Sequence, residues 1–166
     1  MRHQEPLPAL GFTFSPLSRD DLEFLNEVRN SASQYLHDQR KFSMDETRQW
    51  FEQRQQTGFW LIRLDKQPVG YFRTKLIGPQ AWEIGADLHE SFRGQGFSKV
   101  MYRSFAQNIL SPHGVLTCSL RVLKSNPRAI HVYKSLGFAV TVETETDLAM
   151  EITVENLSSG RSPQKI

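Results

Sequence analysis

The chain has 166 residues, 39% of them apolar and 23% charged, with a formal charge of +2. That length suits one domain with a sizeable core, and the composition is that of a soluble, folded protein rather than a disordered or fibrous one. Lys and Arg are interspersed with acids throughout, so no basic stripe points to nucleic acid. No apolar run reaches the roughly 18 residues of a membrane span, and Met1–Gly11 lacks the apolar segment of a secretion signal. The single cysteine, Cys118, leaves no internal disulfide, and its alternation with Leu116 and Leu120 turns it toward a core. A cytoplasmic location is the expectation.

In chain order, Met1–Leu10 reads as a loose end and Phe12–Pro16 as a short first strand. Ser18 with Asp21 three residues on forms a helix-start signature ahead of Leu22, Leu25 and Val28. Ser43 and Glu46 repeat the spacing before a second helix that runs through Gln55 and carries Trp50 and Phe51. Phe59–Leu64, a turn at Asp65 and Lys66, and Val69–Ile77 predict a hairpin; Gly78-Pro79 breaks it before a strand over Trp82–Leu88. Ser98–Leu110 is helical, with Val100, Met101, Phe105 and Ile109 on one side. A strand over Val115–Val122 follows. Asn126 then caps a helix that has Pro127 in its first turn and Gly137 past its end. Phe138–Thr144 and Leu148–Val154 close the chain as alternating strands, while the Ser-, Gly- and Pro-containing residues 157–166 read as a flexible tail. The order is β-α-α-β-β-β-α-β-α-β-β, a mixed α/β domain.

Chemistry concentrates where the strand over Trp82–Leu88 runs through Arg93-Gly94-Gln95-Gly96-Phe97-Ser98 into a helix. Glycines at 94 and 96 let the backbone turn tightly, so the N–H groups of Gln95 to Lys99 can converge on an oxyanion such as a pyrophosphate. Arg93 and Lys99 add charge at the two ends of the loop. The G-x-x-x-x-G-K-[ST] loop and the third glycine of a dinucleotide fingerprint are both missing, which removes kinase and dehydrogenase readings.

The Arg-x-x-Gly-x-Ser string after Trp82-Glu83-Ile84-Gly85 resembles the (Gln/Arg)-x-x-Gly-x-(Gly/Ala) hallmark of the GCN5-related N-acetyltransferase (GNAT) family. Ser98 departs from it. A second stretch, Ser125-Asn126-Pro127-Arg128-Ala129-Ile130 through Val132-Tyr133-Lys134-Ser135-Leu136-Gly137-Phe138, is similar to the family's N-x-x-A-I-x-x-Y-x-x-x-G-F. The likeness covers about Phe12 to Val154. It implies a mixed, mostly antiparallel central sheet with helices on both faces, residues 1–156 as a single acetyltransferase domain, and acetyl-CoA as cofactor. It further implies a strand that splays from its neighbour so that pantetheine lies beside Ile84–Leu88.

Direct attack by a primary amine on the thioester needs a base, an oxyanion donor and an acid. The resemblance assigns the acid to Tyr133, the oxyanion donor to a backbone N–H near Leu88, and the cofactor to Leu88, Arg93, Gly94, Gln95, Gly96, Phe97, Ser98 and Asn126. Glu83 is the candidate base. For the acceptor, the early helices resemble the branch with amino-sugar nucleotide N-acetyltransferases and its neighbour acting on ribosomal-protein N-termini. Arg29 is then a candidate for a phosphate or carboxylate and Trp50 for a ring. A non-catalytic acyl-CoA-binding domain is the contrasting reading, and a homodimer is compatible with either. His37, His89 and His131 lack metal-site spacing, so no metal is expected.

Overall fold

Local capping signals place the helices where the spacing predicts them. The computed structural model describes residues 11–54 and 57–160. Ser18 N–H and hydroxyl both donate to Asp21, and after one 3-10 turn α1 runs over Leu22–Ser31. Ser43 and Glu46 close a reciprocal capping box at the head of α2, Met44–Gln53; Gln55 falls outside the described residues. The long helix begins as α3, Ser98–Phe105, and widens to π geometry over Ala106–Leu110. Asn126 Oδ1 accepts from Ala129 N–H to start α4, Pro127–Leu136.

The strands β1 (Phe12–Pro16), β2 (Thr57–Leu64), β3 (Gln67–Gly78), β4 (Ala81–Leu88), β5 (Thr117–Leu123), β6 (Ala139–Glu143) and β7 (Asp147–Thr153) form one sheet in the order β1-β2-β3-β4-β5-β7-β6. Every adjacent pair is antiparallel except β4 with β5. Alternation along β3 divides two cores. Tyr71 faces α1 and α2 together with Leu25, Val28, Phe51 and Phe59. Phe72 faces the other way, joining Met101, Phe105, Leu120, Leu136 and Met150, and stacks on Phe105 at 3.9 Å between ring centroids. Burying each such ring contributes about 1.5–3 kcal/mol.

Two expectations are corrected. Leu116 does not share the inward face of Cys118: it precedes β5, is 57% exposed, and uses its N–H and C=O to bond Gln80 and Val154. The thiol of Cys118 is buried, and burial pushes it up to about 12, so it is inert packing. The tail does not begin at residue 157. Val154–Ser159 forms α5, capped by Thr153, whose hydroxyl accepts from Asn156 N–H, and Leu157 is 0% exposed. Gln107 donates to Ser158 C=O and ties α5 to the end of the long helix. Local composition hid this because only two apolar residues three apart, Val154 and Leu157, carry the docking of so short a helix. Met1–Leu10 and residues 161–166 lie outside the described residues.

Leu157→Ala therefore behaves as a core truncation, costing about 2–5 kcal/mol in urea unfolding; a tail-like leucine would leave the midpoint unmoved.

Candidate active site

The site arises where the sheet stops being a sheet. β4 and β5 pair only from Ala81↔Thr117 to Glu83↔Ser119, whereas β5 goes on to bond β7 as far as Leu123↔Asp147. Beyond Glu83 the two strands part. His89 N–H donates to Val69 C=O at 2.8 Å, so by the antiparallel alternation the main-chain groups of Ile84, Ala86 and Leu88 point away from β3 and into the gap. The gap opens into a cleft of about 860 Å³, lined by Leu88, Gly94, Gly96, Ser98, Asn126 and Tyr133 among others.

At one end of the cleft lies the two-glycine turn. Gly94 and Gly96 have φ of +73° and +77°, a conformation glycine adopts without Cβ strain, and they deliver the chain to the open first turn of α3. The side chains of the turn do not all serve it. Gln95 donates to Ser91 C=O, and Phe97 packs edge-on against Phe12, so both contribute main chain only.

Arg93 is a correction. Its Nε donates to Leu88 C=O at 2.9 Å and its Nη atoms reach Ser31, binding the loop to the end of α1 rather than presenting charge to a phosphate. The cation over the turn is Arg128 of α4, whose Nη1 would touch a Cβ on Gly94 at 3.5 Å. Its position beside Asn126 and Pro127 in the second motif was the available signal; what the sequence alone withholds is that α4 leans over the loop.

Tyr133, half-buried in the cleft wall, accepts a hydrogen bond from Tyr102 at 3.4 Å between hydroxyls. Burial raises the Tyr133 phenol above its ordinary value, and does the same more strongly for Tyr102 and Tyr71. Asn126 spends its Oδ1 on the helix cap and lines the cleft.

On the α1/α2 face, β3 and β4 set Tyr71 opposite Asp87, Arg73 opposite Gly85, and Lys75 opposite Glu83. Directly opposed residues share a face, so these form one polar row along the cleft. Glu83 carries no ion pair among the described residues. Asp87 is 8% exposed, with Oδ2 3.5 Å from Arg73 Nε. No sequence period within one strand shows this cluster, because β3 and β4 each contribute half of it. Trp50 lines the opposite wall while its ring packs on Phe59 at 4.8 Å, so it is both core and cleft edge.

Arg29 is the second correction. It is buried, stacks 3.6 Å from the Phe42 ring centroid, and donates to Arg40 C=O and Asp38 C=O. Its guanidinium holds the α1–α2 connection instead of facing an acceptor. That connection crosses the cleft: His37 Nε2 lies 2.8 Å from Asp147 Oδ1 on β7. His89 is likewise engaged, with Glu27.

The three buried phenols set a pH dependence. An unfolded chain ionises tyrosine near pH 10 while the fold keeps these groups protonated. Their contribution is thus intact below about pH 10 and is lost as pH climbs toward the raised folded values. Spectrophotometric titration is expected to show Tyr71 and Tyr102 ionising only as the protein unfolds, and Tyr133 ionising above an ordinary tyrosine.

Residues 12–139 match the acetyltransferase (GNAT) domain family. The mycothiol acetyltransferase of Acidimicrobium ferrooxidans is 29% identical over 143 residues, 79% of this chain, and the chain spans 44% of that protein's length. Among solved structures, a domain from Methanocaldococcus jannaschii is similar with a TM-score of 0.76 at 23% identity, covering 87% of this chain and 99% of that one. Spermidine N-acetyltransferase from Vibrio cholerae, in complex with CoA and spermine, is similar with a TM-score of 0.75 at 21% identity, covering 88% and 97%. The family match spans most of the folded chain, including the splayed strands, the two-glycine turn and the tyrosine of α4, and the protein belongs to the GNAT acetyltransferase family.

Proposed function

We propose that this chain is an acetyl-CoA-dependent N-acyltransferase that acetylates a primary amine by direct attack. The observation that carries it is the parting of β4 and β5 beyond Glu83, which leaves a strand edge facing Tyr133 and leading to the two-glycine turn. Main-chain groups left without a ladder partner need hydrogen bonds from elsewhere, and the amides of a pantetheine arm supply them. The residues fit the rest of the group: Arg128 and the open first turn of α3 suit a pyrophosphate, and Asn126 lines the cleft.

When bound, acetyl-CoA brings the acyl group as an activated thioester. Leu88 then contributes a hydrogen-bond donor to the developing oxyanion. Its C=O is occupied by Arg93, and its N–H faces the gap. Tyr133 keeps its proton at neutral pH because burial disfavours the phenolate, which suits it to protonate the leaving sulfur. The base is a carboxylate of β4, where Glu83 and Asp87 share one face.

For the acceptor, Arg73, Lys75 and Arg121 line the cleft against Glu83 and Asp87. The positive excess favours an amine that carries phosphate, as in an amino-sugar nucleotide, over a polyamine of the kind that the Vibrio cholerae enzyme takes. Trp50 offers a flat surface for a ring. A peptide N-terminus, the other acceptor that the early helices suggest, would use the same base and acid but bring no anion to these cations.

Calorimetry is expected to show saturable acetyl-CoA binding that weakens sharply for acetyl-pantetheine, which lacks the pyrophosphate, and disappears in Gly96→Trp. No binding at millimolar cofactor would remove the transferase reading. In a panel of an amino-sugar nucleotide, an N-terminal peptide and spermidine, the first is expected to turn over best and spermidine worst. Tyr133→Phe should lower kcat by about a hundredfold or more with little change in acetyl-CoA affinity; an unchanged rate removes Tyr133 as the acid.

A further inference from the structure

We propose that Asp87, braced by Arg73 lying across Gly85, is the group that takes the proton from the attacking amine. The inference rests on the transferase reading and assigns the base within it. Asp87 and Glu83 occupy the same face of β4, four residues and about 13 Å apart at some 3.3 Å per residue. A general acid and base acting on one thioester cannot be far apart. The amine stands about 3–3.5 Å from the carbonyl carbon, and each proton-transfer partner within about 3 Å of its atom. Asp87 lies in the part of β4 that faces the gap, next to Leu88, whereas Glu83 lies where the β4–β5 ladder is still closed. The Tyr133 phenol is within the field of Asp87 and of Arg73.

The cluster is built for a further partner. Asp87 Oδ2, Arg73 Nε and the Tyr71 hydroxyl are all buried without a hydrogen-bond partner, although the first two stand only 3.5 Å apart. A structural ion pair closes up and satisfies itself; buried polar atoms left open within one group mark a site. Tyr71 faces Asp87 but makes no hydrogen bond of ordinary geometry with it. Gly85 sets the brace: a Cβ there would stand 2.9 Å from Arg73 Nη2, so only a bare backbone lets the guanidinium lie flat against β4. Asp87 is thus an 8% exposed carboxylate lining the cleft, with an Arg73 side chain that is 38% exposed beside it.

In the step, the amine nitrogen bonds to the thioester carbon and its proton passes to the Asp87 carboxylate. The C–S bond breaks and the sulfur takes the Tyr133 proton. Asp87 then gives its proton back to the phenolate through solvent, leaving the N-acetylated amine, free thiol and an unchanged enzyme. The charged and titratable groups facing Asp87 are Arg73 and Tyr71 from β3, Arg29 from α1, Tyr102 from α3 and Tyr133 from α4. Arg73 is a positioning residue, held beside Asp87 at 3.5 Å, and removing it is expected to lower kcat while leaving acetyl-CoA affinity in place.

The test compares the wild-type chain with Asp87→Asn, Glu83→Gln and Arg73→Gln, using 2-aminoethanol as the acceptor probe at saturating acetyl-CoA. Asp87→Asn is expected to lose about a hundredfold or more in kcat and to lack the lower pH limb, with acetyl-CoA affinity by calorimetry unchanged within threefold. Glu83→Gln is expected to cost at least about tenfold less and to keep the limb. Arg73→Gln is expected to lower kcat by about tenfold with KM for the amine changed by less than about threefold, the split of a group that positions the base rather than binds the acceptor. That split and the Glu83→Gln rate decide the matter even where Asp87→Asn is unstable. A retained rate and limb in Asp87→Asn, a larger loss in Glu83→Gln, or an unchanged kcat in Arg73→Gln overturns the assignment while leaving the transferase reading intact. Failure of the wild type to bind acetyl-CoA overturns that reading first.

Discussion

Everything distinctive in this fold follows from one broken ladder. β4 and β5 are the only parallel neighbours in the sheet, and they hold together for three residues. A sheet interior normally forbids such a break, since each freed N–H or C=O that is buried without a partner costs about 1–3 kcal/mol. The cost is tolerable here because the strands remain fixed from outside. β3 bonds β4 along its whole length, β7 bonds β5, and α3 and α4 stand behind the opening. The gap is therefore held open from both sides, with polar edges.

The two faces of β3 and β4 then take different work. One face carries Phe72 and Ile84 into the larger core and needs nothing but volume. The other begins in the smaller core at Tyr71, opposite the buried Asp87, and becomes more polar further along, at Arg73, Lys75 and Glu83. A charged pair this enclosed is a weak source of stability, because desolvation offsets most of its attraction. Its value lies in how little it can relax. Arg73 is held by the flat surface of Gly85, and Arg73 in turn is held charged by Asp87 against the opposing effect of burial.

Sequence legibility follows the range of the interaction. Capping boxes at Ser18 and Ser43, the Asn126 cap, the hairpin at Asp65 and Lys66, and the glycine turn are all set within a few residues, and all were readable. Strand-to-helix order brings Gly94, Gly96, Ser98, Asn126 and Tyr133 to the lining of one cleft. What could not be read depended on tertiary neighbours. Arg93 and Arg29 have the charge to bind an anion, yet each finds carbonyl oxygens closer at hand, on Leu88 and Ser31 for one and on Asp38 and Arg40 for the other. Arg128 gains its place from the tilt of one helix over a loop, and the Arg73–Asp87 cluster from strand register. A guanidinium is too versatile a donor for its partner to be named before its surroundings are known.

The two ends of the cleft differ in kind. At the turn, the cleft offers main-chain N–H groups and one exposed arginine, a design indifferent to most side-chain changes around it. At the other end it offers side chains: Arg73, Lys75, Asp87, Trp50 and the bridge from His37 to Asp147, with Arg29 holding the α1–α2 connection. Backbone recognition suits a part of the reaction that does not vary, and side-chain recognition suits a part that does. Under the proposed transferase reading the boundary between them falls at Leu88, whose N–H faces the gap between β4 and β5 while the side chain of its neighbour Asp87 lies on the α1/α2 face.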